Sequence, residues 1–162
     1  MIVPLLLVLL AAQGAGPREE LAPLAPLVGS RWVGTFPGGK LTDEQRFEWV
    51  FGGRFLRNTH QVKNEAGEVV YEGETIYAWD ETDRQIVWWY WNATGGFITG
   101  TLKREGDAWI ASGVNHAPES QTPAVRSEIR ISDGSWESRS FFQRDGEWTE
   151  RFRMTFRPAP RP

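Results

Sequence analysis

"EWTERFRMTFRP", residues 147–158, decides how the rest of the chain reads. Trp148, Phe152, Met154 and Phe156 fall on one side of an extended segment, while Glu147, Thr149, Arg151, Arg153, Thr155 and Arg157 fall on the other. Alternation of this kind marks a half-buried β-strand, because successive side chains point to opposite faces. Glu150 alone interrupts the apolar side. The same theme recurs upstream, at residues 31–36, 44–51, 54–63, 68–79, 84–92, 96–104, 108–115, 125–132 and 135–143. Between these segments stand "NEAGE", "DETD", "ATGG", "EGD", "SDG" and "RDG", whose Gly, Asn and Asp tolerate the positive φ of tight hairpins. No long segment carries a helical period. A flat sheet of about ten such strands would leave two edges and one face uncovered, and closure removes both problems. The expected fold is therefore all-β: a single antiparallel up-and-down β-barrel of about ten strands, paired sequentially, with room inside for a cavity. "REELAPLAPLV", residues 18–28, supplies a short helical cap whose length Pro23 and Pro26 limit.

At 162 residues the chain suits one domain that can bury its own core. It opens on "MIVPLLLVLLAAQGAG", an apolar run followed by small residues, which has the form of a secretory signal peptide and is too short for a span of about 20 residues. The expected division is residues 1–16 as signal peptide, 17–29 as cap, 30–158 as barrel and 159–162 as tail. A secreted or periplasmic location follows, with no stable membrane anchor after cleavage. The chain has no cysteine, which excludes disulfides, thiolate chemistry and a lipid-modified cysteine. A net charge of −3 with both signs interspersed provides no basic stripe for a phosphate backbone, so nucleic acid is not an expected partner.

Nine tryptophans stand out, three of them in "VWWYWN", residues 87–92. In a strand, Trp88 and Tyr90 share one face and Trp89 and Trp91 the other. One pair can wall a cavity while the other meets a lid, a partner or a second copy; the sequence leaves open which does which. Tyr71, Gly73, Thr75 and Tyr77 also share a face, as do Leu56, Asn58, His60 and Val62. The candidate ligand-binding residues are Trp88, Tyr90, Tyr71, Tyr77, Asn58, His60, Phe152 and Met154, and the expected ligand is a small hydrophobic or amphipathic molecule.

Two other readings stand beside this one. A barrel enzyme, whether isomerase, cyclase or hydrolase, would use His60 or Glu150 as acid or base; burial would raise the Glu150 pKa unless an inward Arg such as Arg57 pairs with it. An interaction module or homodimer would use the outward aromatics. No metal site is expected, since His60 and His116 are the only histidines and nothing at ligand spacing joins them. Neither a nucleophile elbow nor a phosphate loop is present. The proline-bounded stretch 115–125 reads as a loop beside one barrel mouth.

"LVGSRWVGTF", residues 27–36, resembles the entry to the first strand of calycin barrels, a helical turn followed by Gly29, Trp32 and Gly34. Together with "FGGRFLRNTH", "YEG", the Trp-rich strand and the aromatic-basic last strand, the chain resembles the lipocalin-like domain of unknown function found in bacterial secreted proteins and related to nitrobindin barrels. The resemblance covers roughly residues 24–158. It implies that Trp32 closes one barrel end with Arg157 or Arg153 packed across it, a cation-π contact of about 0.5 to 2 kcal/mol. Nitrobindins hold haem through a histidine late in the chain. The last strand here has none, so no cofactor is expected, haem included.

Overall fold

The computed structural model of the chain describes residues 16–116 and 124–160. The expected signal peptide and most of the 115–125 loop lie outside these residues. Ten strands follow in order: β1 (Arg31–Thr35), β2 (Thr42–Val50), β3 (Phe55–Lys63), β4 (Val69–Asp80), β5 (Gln85–Asn92), β6 (Phe97–Glu105), β7 (Ala108–Asn115), β8 (Ala124–Ser132), β9 (Ser135–Arg144) and β10 (Glu147–Pro158). Each pairs antiparallel with its predecessor, and β10 returns to β1, so the sheet is a closed barrel. The seam is short, with Trp32 opposite Pro158, Val33 opposite Arg157 and Gly34 opposite Phe156. Gly34 is needed there because a Cβ would stand 2.9 Å from the Phe156 ring.

One end of the barrel is stoppered. The expected cap is a single 3-10 helix, Ala22–Leu27, a tighter coil that accommodates both prolines. Leu21, Leu24 and Leu27 are buried, and each such burial contributes about 2 kcal/mol. The Arg18 N–H donates to Gly53 O at 2.9 Å, the Trp32 indole donates to Leu27 O at 2.7 Å, and the Arg18 guanidinium pairs with Glu81. These contacts fix the cap over the end where the β2–β3 and β4–β5 hairpins turn. Beneath it, Trp136 stacks on Phe156 with ring centroids 3.9 Å apart and meets the edge of Phe47 at 6.0 Å. The Trp136 indole N–H is buried there with no partner among the described residues.

The inner row Tyr77, Trp88, Gly100, Gly113 shows why two strands carry glycine at their middles. The Trp88 indole lies across both: a Cβ on Gly100 would come within 2.7 Å of the ring, and one on Gly113 within 2.8 Å. Its N–H donates to Thr101 O at 3.0 Å. Lost side-chain volume on β6 and β7 is thus filled by one large ring from β5.

The last strand departs from its expected facing. Glu150 pairs with Phe141 and Phe152 with Ser140, so Arg151 is an extra residue in a β-bulge. Residues before a bulge exchange faces. Trp148 and Glu150 consequently lie outside, Trp148 exposed, while Phe152, Met154 and Phe156 remain inside. Glu150 therefore does not enter the cavity as the alternation implied. It bonds Arg139 at 2.6 Å and Arg153 at 3.4 Å, and these cations hold its carboxyl below the usual carboxylate range rather than above it. Arg57 is engaged elsewhere, with Glu48. The expected arginine across Trp32 is also absent: Arg153 and Arg157 are exposed on the outer face, and the indole is held by Leu27 instead.

Gly113→Ala should destabilise the barrel by about 2 kcal/mol, since the added methyl overpacks a filled site. Urea unfolding, with near-ultraviolet circular dichroism to follow the displaced indole, measures this.

Candidate ligand site

Below the cap the barrel holds a cavity of about 910 Å³. All eight residues named from the sequence line it: Trp88, Tyr90, Tyr71, Tyr77, Asn58, His60, Phe152 and Met154. The facing of "VWWYWN" is thereby fixed. Trp88 and Tyr90 look inward, whereas Trp89 and Trp91 look outward, 38% and 46% exposed. Phe36 closes on Phe152 edge-to-face at 5.3 Å. Arg151, the bulge residue, also borders the cavity, its guanidinium 5.9 Å from the centre of the Phe152 ring.

Within this apolar wall runs one connected polar chain. Asn58 Nδ2 donates to Gln45 Oε1 at 3.2 Å, and Gln45 Nε2 donates to Asp43 Oδ2 at 2.7 Å. The other carboxylate oxygen, Oδ1, lies 3.1 Å from His60 Nδ1. On its far side His60 Nε2 is 3.1 Å from the Tyr90 hydroxyl, which is 2.7 Å from that of Tyr71. Asp43 is only 3% exposed. A buried carboxylate is costly unless it is hydrogen-bonded, and the amide and imidazole supply those bonds.

The chain is assembled by strand register. Asp43 and Gln45 come from β2, Asn58 and His60 from β3, Tyr71 from β4 and Tyr90 from β5, all on the inner face. Gly73 of β4 sits opposite His60 and supplies the space: a Cβ there would fall 2.5 Å from the Tyr90 hydroxyl and 2.7 Å from His60 Nε2. A side chain at this point would push the two groups apart. Thr75 lines the cavity beside them, and its hydroxyl bonds no other described residue.

Asp43, Gln45, Gly73 and Thr75 are the members that the candidate set lacked. The expected strand began at residue 44, which left Asp43 in a turn; β2 begins at Thr42. Extending the alternation Asp43, Gln45, Phe47, Trp49 by one step would have found it. His116 stands apart, stacked on Phe97 at 4.5 Å and bonded to Thr99. Among the described residues no three His, Asp or Glu side chains gather as a metal would require.

Burial pushes the Tyr77 phenol up to about 12. Tyr90 is raised as well, by burial first, then by its bond to Tyr71 and the nearby charge of Asp43.

Among solved structures the chain is similar to one described as the crystal structure of Rv2717c from M. tuberculosis, with 18% sequence identity and a TM-score of 0.62. The match covers 89% of this chain and 99% of that one. The likeness is one of fold. No protein-family model matches the chain, and no curated protein matches it.

Two of the three tyrosines should therefore contribute no phenolate when the pH is raised through about 10, the ordinary phenol range. Absorbance at the phenolate band, compared before and after alkaline unfolding, counts them; three phenolates in the folded protein would contradict the placement of Tyr77 and Tyr90.

Proposed function

We propose that this protein is a lipocalin-like binding barrel that encloses a small, mainly apolar molecule, with one polar group of the ligand seated against the Asp43–His60–Tyr90–Tyr71 cluster. The observation that carries this reading is the union of a 910 Å³ aromatic-walled cavity with a hydrogen-bonded patch of convergent polar groups. Ligand sites have this composition: apolar area supplies affinity, and a few fixed polar groups supply orientation. The N-terminal apolar run supports export, so the ligand would be met outside the cytoplasm. Native mass spectrometry of protein purified without refolding tests the reading. A stoichiometric adduct should be seen, or else quenching of Trp88 and a rise in melting temperature when lipids and small aromatics are added, since a ligand that binds only the folded state stabilises it. No adduct and no response across such a library would reject the binding barrel.

A second reading rests on the outer face. Trp89 and Trp91 of β5, Phe97 of β6 and Val114 of β7 are exposed, and their register makes them neighbours across three strands. A strip of this kind suits contact with a second copy. Light scattering should then report a dimer that Trp91→Lys dissociates, and a monomer at high concentration would dismiss it.

A further inference from the structure

Donor and acceptor bookkeeping along the polar chain gives it a direction. Ionised Asp43 only accepts, and Gln45 already donates to Oδ2, so Oδ1 takes the proton of His60 Nδ1. The neutral imidazole then presents a lone pair at Nε2. Tyr90 is kept in its protonated form by burial and by its neighbours, and its O–H must turn towards that lone pair. Tyr71 can bond Tyr90 only by donating to the oxygen left free. Every hydrogen in the row points towards Asp43, and the cavity meets the oxygen lone pairs of Tyr71. Asn58 adds to this, since its amide hydrogens go to Gln45 Oε1 and the Arg46 carbonyl, leaving Oδ1.

We infer that the site selects a ligand bearing a hydrogen-bond donor, an apolar alcohol or phenol, and that a second proton on His60 reverses the row and abolishes the preference. This deepens the binding-barrel reading and rests on it. With both ring nitrogens protonated, Nε2 donates to Tyr90, Tyr90 donates to Tyr71, and the Tyr71 hydrogen turns into the cavity. Acceptor-only ligands are then served equally well. The groups bonded to or packed on the His60 ring are Asp43 from β2, Tyr71 from β4 and Tyr90 from β5, while Glu44 and Arg46 of β2 and Glu72 and Glu74 of β4 border a second hollow that His60 also lines. Nδ1 donates to Asp43 in either state, so the row reverses without the chain being rebuilt.

The two states are separable with a matched pair of probes, 2-naphthol, which donates, and 2-methoxynaphthalene, which cannot. Calorimetry at about pH 8, where histidine is ordinarily neutral, should give roughly tenfold tighter binding of the naphthol, because the ether leaves a buried acceptor unpaired. At about pH 5 the ratio should fall to within about twofold. Tyr71→Phe should weaken the preference at the higher pH without removing it, since the Tyr90 and Asn58 oxygens still accept, and His60→Gln should leave a ratio that no longer changes with pH; circular dichroism confirms that both variants are folded. Equal affinities at about pH 8, or a preference unaffected by pH in the wild-type protein, would overturn the inference while the binding barrel stands. Failure of both probes to bind at either pH would overturn this inference, and the native mass spectrum and ligand library then decide the binding reading separately.

Discussion

Everything in this molecule depends on one short seam, the three residue pairs by which β1 accepts β10. Once the sheet is closed, each strand has a fixed inside and outside, and a residue's chemistry follows from whether its position is odd or even along the strand. The seam itself depends on an atom that is missing. Without a side chain on Gly34 the Phe156 ring reaches the wall, stacks on Trp136 and completes the floor beneath the cap. The same device recurs at Gly100 and Gly113 under Trp88, and at Gly73 under Tyr90 and His60. Large rings and absent side chains are matched across neighbouring strands, which is how a chain with nine tryptophans packs a barrel and still leaves a hollow.

Alternation made the ten strands readable, because a half-buried strand repeats every two residues and the hairpin signals fall between repeats. It also sorted the eight named residues by face, and all eight line the cavity, although alternation alone left open which face of the Trp-rich strand turns inward, and lining a cavity and holding a ligand are separate matters. The same rule misplaced Glu150 and Trp148. A bulge adds one residue without any change of composition, and "WTERF" looks the same whether Arg151 is paired or extra. Asp43 was missed for a related reason. A single polar residue at a strand's first turn reads as part of the loop, and only the neighbouring histidine, supplied by another strand, reveals that it is buried.

The arginine expected across Trp32 illustrates the limit of resemblance. Trp32 does help to close its end of the barrel, yet its indole is satisfied by a backbone carbonyl of the cap, and the basic residues of β10 belong to the outer face with Glu150. A motif carried over from similar barrels located the ring correctly and misassigned its partner, since partners are set by facing and not by proximity in sequence.

The seam joins residues near the two ends of the folded chain, so the contacts that close the barrel span nearly its whole length. The other strand pairings join consecutive strands, so the seam alone bears the loop-entropy cost of a contact this distant. Without β10, β1 is an open edge and the hollow behind Asp43 lacks a wall. A chain still emerging, or halted before its last strand, therefore has strands and hairpins but no closed chamber.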